Sequence, residues 1–502
     1  MRGPEQTADE RVLHANYWAL ASVALARYTP AVIDRLTALR LYTGDESIRP
    51  QLDVRHAANK SEWRLEILRG YEIILRPADG TASAGATLPT TREQRIGGIP
   101  VPVVSPERLL MSLTVGDVRA APDLVAIWLR SLVIGTTALD EAYRANPRPV
   151  LLRRMAHIAS DVGNDRLATT IDGVLAAHTR STLTRANTGV GTNILIPRYV
   201  ERSVGVGGRE AWLDRYRAHF TNAAEQLTER LGPVEAETTA SGPEETLAFA
   251  REAKLEDAYH STTIEGYRIT RDEVEAVIAG RPYAGRTPDE IERLMALKGY
   301  SQAFDWVLKQ IGGKETSDVK TGALLARPRI TEELILDIFL ELWSPSVDAG
   351  IVDSADLRRW RARPVQIKSS DHAPPSAEKL PQLMRLVVEQ AQQAPAGPVA
   401  RAAFLHWAFV HAHPYMDGNG RVARLLMNYL LAGAGLPWTT IRAEERAPYF
   451  RALERAHLAL DLAPLADFVA MAVRRAALER SAWLAAAPST PGTRRSKTND
   501  ER

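Results

Sequence analysis

The sequence predicts a multidomain chain, with an all-α C-terminal half following an N-terminal half of mixed α/β character. Three observations carry that reading. From residue 245 to 485, apolar residues recur at three- and four-residue spacing in segment after segment, the pattern of amphipathic helices. Before residue 230 the chain instead mixes alternating runs with shorter helical patterns. Between the two, 231–244 is rich in Gly, Pro, Thr and Glu, the composition of a linker, and 502 residues exceed what one core usually organises. The expected units are therefore 1–230 (mixed α/β), a linker at 231–244, a helical domain at 245–486, and a disordered tail at 487–502 that is polar, charged and unpatterned.

Taken in order, 62–75 alternates and carries β-branched residues, so it reads as strand, as does 97–104. Segments 106–113 and 122–134 read as helices. In the C-terminal half, helices are expected over 245–260, 270–279, 288–310, 331–342, 377–392, 400–411, 421–434, 443–460 and 465–485. Thr270 with Glu273, and Thr331 with Glu333, mark two helix starts, while Gly433, Gly435 and Pro437 mark an end. Residues 312–329 lack periodicity and read as a loop insertion.

Composition closes off several classes. A net charge of +2, with 25% charged and 45% hydrophobic residues, is that of an ordinary globular protein. No run approaches the roughly eighteen apolar residues of a membrane span, and residues 1–11 are charged without an apolar core. A cytoplasmic protein with no membrane partner is the expectation. The absence of cysteine excludes disulfides, thiolate zinc and cysteine nucleophiles. Acidic and basic residues balance over 1–245, so DNA binding by the N-terminal unit has no bulk electrostatic footprint; a local patch over 180–202 reads first as a solvated face.

The chemistry concentrates in one run, His413-Pro414-Tyr415-Met416-Asp417-Gly418-Asn419-Gly420-Arg421-Val422-Ala423-Arg424. Pro414 pushes His413 toward extended geometry, which ends the preceding helix and leaves the imidazole in a loop. Gly418 and Gly420 let the amides around Asn419 turn inward as an anion nest, and the helix that follows adds the positive end of its dipole. Arg421 and Arg424 lie three apart on that helix, within reach of one polyphosphate. Asp417 is a hard oxygen ligand suited to Mg²⁺ on phosphate oxygens, and His413 has the ordinary pKa of a general base. Any one of these residues alone would be an unremarked loop or surface residue; it is the joint pattern that points to phosphate chemistry. A metal-hydrolase site on His411 and His413 fits less well, because no further His/Asp cluster follows. His406, His411 and His457 lie on apparent helices and read as structural or exposed.

At these residues the chain resembles the Fic family, whose core motif runs His-Pro-Phe-x-Asp/Glu-Gly-Asn-Gly-Arg-x-x-Arg; Tyr415 replaces the usual Phe. The resemblance spans about residues 246–483. It implies the all-α Fic fold and transfer of AMP from ATP to a Ser, Thr or Tyr hydroxyl of a protein, the chain itself included. In that reading His413 deprotonates the hydroxyl, and Asp417 holds Mg²⁺ on the α and β phosphates. Gly418, Asn419 and Gly420 form the anion hole, and Arg421 and Arg424 bind the outer phosphates.

Ser261-Thr262-Thr263-Ile264-Glu265-Gly266 resembles the family's inhibitory motif, Ser/Thr-x-x-x-Glu-Gly/Asn, here preceding the catalytic motif. By itself it would read as a helix end with Gly266 past the cap. Beside the catalytic motif, the resemblance implies that Ser261, Glu265 and Gly266 form an inhibitory element in which Glu265 pairs with Arg424. The alternating run at 363–375 reads as a small β-hairpin, and falls where the family's flap clamps its target; Val365, Gln366, Ile367 and Lys368 are the expected pairing residues. Tyr449 falls where relatives place an adenine-side aromatic. The resemblance also implies a possible homodimer. The run 96–110 resembles the Ser-Pro-Glu-Arg segment of AbiEi-type antitoxins, which would make the N-terminal half a regulator. Two alternatives stay open: removal of AMP from a modified protein by the same site, and a nucleotide-sensing, DNA-binding regulator.

Overall fold

The computed structural model describes residues 12, 16–28, 30–56, 61–77, 91–178, 210–281, 287–312, 328–368, 370–393 and 397–486. The tail at 487–502, the patch at 180–202 and most of the loop insertion at 312–329 lie outside them.

The N-terminal part folds around one mixed six-stranded sheet. Its strands are β1 (Ala31–Ile33), β2 (Gln51–His56), β3 (Trp63–Leu68), β4 (Tyr71–Pro77), β5 (Thr91–Ile96) and β6 (Ile99–Val104), in the order β3-β4-β2-β1-β6-β5. Residues 62–75, read as strand, hold two strands joined at Arg69-Gly70, and Gly97-Gly98 turn β5 into β6 with φ of 57° and 88°, values that glycine adopts without strain. β3/β4 and β5/β6 are antiparallel, whereas β2/β4 and β1/β6 are parallel. The edge strand β5 carries charged residues at three of its six positions, Arg92, Glu93 and Arg95, and is mostly exposed, a composition that discourages pairing with other chains. Helices α1 (Tyr17–Arg27), α2 (Arg35–Tyr42), α3 (Pro106–Ser112), α4 (Val115–Ala120), α5 (Pro122–Ser131), α6 (Thr136–Ala145), α7 (Pro149–Asp161) and α8 (Asp165–His178) complete this part. Val54, Ile73, Leu75, Val101 and Val103 from the sheet share one core with Leu109, Ile127, Leu152 and Ile171 from the helices.

The rest is helical: α9 (Ala211–Glu237), α10 (Pro243–Ile264), α11 (Arg271–Ile278), α12 (Pro288–Gly312), α13 (Glu332–Asp348), α14 (Ser354–Leu357), α15 (Leu380–Gln393), α16 (Pro398–Ala412), α17 (Asn419–Gly433), α18 (Arg446–Ala459) and α19 (Ala463–Ala486). The caps fall where the sequence places them. Thr270 and Glu273 form a reciprocal capping box, the Thr331 hydroxyl accepts from Leu334 N–H at 3.1 Å, and α17 ends at Gly433. α16 and α17 are buried almost end to end, so they form the axis around which the other helices pack.

The linker reading of 231–244 needs correction. Gly232 and Pro233 suggest a break, yet α9 runs through them to Glu237, because Leu227, Leu231 and Val234 keep one face in the helical core. Glu235 is also fixed: its carboxylate accepts from Val399 and Ala400 N–H at 2.9 and 3.0 Å, capping α16. The joint is only 238–242. The sheet part also reaches the helical part directly, through Ile48 N–H to Asp371 O at 2.8 Å, Tyr71 hydroxyl to Asp371 Oδ1 at 2.7 Å and Arg49 to Leu458 O at 3.0 Å. Among the described residues no helix is long and apolar enough to cross a membrane.

Candidate active site

The site forms where the end of α16, the start of α17 and the end of α10 meet. α16 stops at His413, whose N–H still returns to Phe409 O at 3.0 Å but whose backbone is left-handed, φ 46° and ψ 58°. Pro414 excludes a continued right-handed helix, as expected; the residue nevertheless caps the helix rather than extending, which turns the chain within one residue.

Arg361, which the sequence did not single out, holds this turn. It is 5% exposed, and its Nε donates to His413 O at 2.9 Å, its backbone N–H to Pro414 O at 2.8 Å, its Nη1 to Arg363 O at 3.0 Å and its Nη2 to Pro375 O. Burial lowers its pKa to about 10, so it stays cationic at neutral pH. Replacing Arg361 with Met keeps the apolar stem but leaves three carbonyls without their donor, a loss of about 3–9 kcal/mol at roughly 1–3 kcal/mol per unsatisfied group. Thermal denaturation should show it. For the AMP transfer that the motif's family resemblance implies, turnover should fall with nucleotide KM little changed, and Arg361→Lys should recover part of it; an unaltered kcat in a folded Arg361→Met protein would remove its positioning role.

The His413 ring is half-buried. Its Nδ1–H donates to Val410 O at 3.3 Å, since a carbonyl can only accept, and this places the lone pair on Nε2. Burial lowers its pKa to about 4, so the ring is neutral at physiological pH. Tyr415 turns inward and stacks on Phe339, with ring centroids 3.5 Å apart and planes 2° from parallel. Its N–H and C=O are both taken by the Asn419 side chain, at 3.0 and 2.9 Å. Asn419 therefore locks the loop with its amide group and offers only its backbone to an anion.

Gly418 is left-handed, φ 85°, and a Cβ there would sit 3.1 Å from both Leu342 Cδ2 and Trp343 Nε1. α17 follows, and its leading N–H groups at 419–421 have no intrahelical acceptor, an arrangement suited to an anion. The two arginines divide their tasks. Arg421, 1% exposed, lies between the Tyr267 and Trp343 rings, 5.6 and 5.3 Å from their centroids, and donates to Asp417 Oδ2 at 3.1 Å. Here it orients Asp417, whose side chain is 59% exposed at the loop's apex.

Arg424 is buried and faces α10. Its Nε donates to Ser261 Oγ at 2.7 Å, and its Nη2 to Ser261 O at 2.9 Å and to Glu265 Oε1 at 2.6 Å. Burial opposes ionisation of Glu265, but Arg424 and then Arg421 outweigh it, and the carboxyl's pKa is lowered. Gly266, φ 99°, ends α10 directly after Glu265. The carboxylate rests on Gly420, where an added Cβ would collide with Oε1. Glu265 thus lies at the N-terminus of α17, in the place favourable to a phosphate. Arg424 Nη1, buried and without a hydrogen-bond partner, remains as a donor at the same spot.

Two further expectations, the 365–368 hairpin and Tyr449, meet a different arrangement. Val365 to Lys368 form no strand, so the hairpin reading is corrected: the segment is irregular and turns where Ser370 N–H meets Ile367 O at 3.1 Å. A second strand cannot form, because Asp371 is held by Ile48, Tyr71 and Glu454, and Pro374 and Pro375 have no N–H to donate. Tyr449 is 1% exposed and pairs its hydroxyl with His406 Nε2 at 2.7 Å, as a member of the core.

The residues present fit a nucleoside triphosphate with a divalent cation. The helix N-terminus and the orphan guanidinium donor suit phosphates, and Asp417 offers a hard oxygen at the exposed apex of the loop. Residues 329–431 match the family model described as Fic/DOC family. The protein adenylyltransferase Fic of Drosophila grimshawi is 30% identical over 278 residues, covering 53% of this chain and 52% of that protein. Its namesake in Nematostella vectensis is 30% identical over 232 residues, covering 45% and 48%. The chain spans about half the length of these curated relatives. Among solved structures, a Fic domain containing signaling protein from Bacteroides thetaiotaomicron shares 20% identity, covering 51% of this chain and 96% of that one, with a TM-score of 0.39.

Proposed function

We propose that this chain, whose residues 329–431 match the Fic/DOC family model, is a protein adenylyltransferase, moving AMP from ATP to a protein hydroxyl and restrained by Glu265. The observation that carries this reading is the neutral His413, with its Nε2 lone pair available, beside the N-terminus of α17.

His413 Nε2 takes the proton of the incoming Ser, Thr or Tyr hydroxyl. The oxygen attacks the α-phosphorus as the bond to the bridging oxygen breaks, pyrophosphate leaves, and the imidazolium later loses its proton to solvent. The amides at 419–421 and Arg424 stabilise charge on the phosphates, which is most of what phosphoryl-type transfer asks of a protein. Asp417, oriented by Arg421, would hold Mg²⁺, which neutralises phosphate charge when bound. Glu265 opposes this by occupying both Arg424 and the space over Gly420.

Parallel incubations with α-labelled and γ-labelled ATP test the reaction itself. Label should reach protein only from the α position, and Asp417→Ala should lose most of the transfer and its dependence on Mg²⁺. Label from the γ position would mean phosphate transfer and would overturn the proposal. Release of AMP from an already modified protein, lost on Glu265→Gly, would favour the reverse reaction.

A further inference from the structure

We propose that His372, His411 and His457 form a zinc site behind the catalytic loop, separate from the nucleotide site. The three come from different elements: His372 from the segment after residues 365–368, His411 from the last turn of α16, and His457 from α18. Each can offer one ring nitrogen, and the three ligand atoms all lie within 4.8 Å of one another.

The hydrogen bonds already sort the nitrogens. His372 Nε2 faces His411 O at 2.8 Å and must donate to it, so the lone pair is on Nδ1, which is buried without a partner. A second nitrogen fixed on a carbonyl is the usual way a ligating histidine is oriented. His411 Nδ1 and His457 Nδ1 stand 3.0 Å apart. Two nitrogens on one zinc at roughly 2.0–2.1 Å are about 2.9–3.4 Å apart, so this pair is already spaced for a shared ion. The widest pair has to close by roughly 1.5 Å, within the reach of small side-chain rotations.

The donor set selects the metal. Three neutral imidazoles, without a carboxylate or thiolate, suit Zn²⁺ and leave magnesium to the oxygen of Asp417. Trp407 and Tyr216 wall the cluster, their ring centroids 5.4 and 5.6 Å from His411. His457 is only half-buried, which gives an ion a way in and a water its place as fourth ligand. His411 lies two residues before His413. A bound zinc would therefore tie the catalytic turn, the 365–372 segment and α18 together.

The test is direct zinc binding to the untagged full chain after chelation, read by competition with a chromophoric chelator and by the visible d–d absorption of the Co²⁺ form. About one equivalent should bind, His457→Ala and His372→Ala should each weaken binding at least tenfold, and Asp417→Ala should leave it unchanged. His457 is the safer substitution because it is partly exposed, and helical content measured by circular dichroism confirms that each variant is folded. Failure of the wild type to bind zinc, or undiminished binding by both folded histidine variants, overturns the site. Either result leaves the adenylyltransferase reading untouched, since that reading rests on different residues.

Discussion

Glu265→Gly is expected to raise AMP transfer about ten- to hundredfold over the wild type. The Arg424–Glu265 contact is a charge-assisted hydrogen bond of 2.6 Å between a buried guanidinium and a carboxylate that is 26% exposed. Such a bond is worth about 1.5–3 kcal/mol, and each 1.36 kcal/mol is a factor of ten in rate or occupancy. An ATP phosphate seeking Arg424 must first break that bond and then displace a carboxylate resting on Gly420. Removing the side chain does both at once. The same variant should melt earlier, because buried Arg424 loses its carboxylate counter-charge, and losing one member of such a pair destabilises more than the pair itself contributes. More activity with less stability is the diagnostic combination. Glu265→Gln, which keeps the volume and loses the charge, should fall between the two. Equal labelling by wild type and Glu265→Gly would remove the inhibitory role, whatever the melting temperatures.

That contact was legible in the sequence because both halves of it belong to motifs of fixed spacing, although 159 residues separate them. What surrounds it was not. Arg361 binds a carbonyl 52 positions along the chain, and as one of four arginines in the run Arg358-Arg359-Trp360-Arg361-Ala362-Arg363 it carries no local sign of such a task. Phe339, Trp343 and Tyr267, which brace Tyr415 and Arg421, look in sequence like ordinary core aromatics. The strand reading of 62–75 and 97–104 covers β3, most of β4 and β6 but misses the turn at Arg69-Gly70 and all of β5, and the parallel pairings β2/β4 and β1/β6 depend on chain returning from elsewhere. The same non-locality misled the reading at 365–368: alternation suggested a strand, but the partner arm is engaged by Ile48, Tyr71 and Glu454. Gly232-Pro233 misled in the other direction, because a helix end is decided by burial of Leu231 and Val234 as much as by its breakers.

His413 offers the sharpest separation of chemistry from folding. His413→Ala should lower transfer by about 10²–10⁴-fold, the usual contribution of a positioned general base. An alanine at φ 46° is strained, however, so a loss in that variant alone could be assigned to a disturbed turn. Asparagine tolerates the left-handed region better than most residues and has no basic nitrogen at neutral pH. His413→Asn should therefore hold the turn, with the Arg361 bond to the residue 413 carbonyl intact and melting close to that of the wild type, yet be as inactive as His413→Ala. Nucleotide binding should change by no more than a few-fold in both, since the phosphate donors are the α17 amides and Arg424. In the Glu265→Gly background, where the signal is largest, adding His413→Asn should return labelling to the blank. Transfer that survives in the folded double variant would assign the base to another group, and the mechanism built on Nε2 would fall.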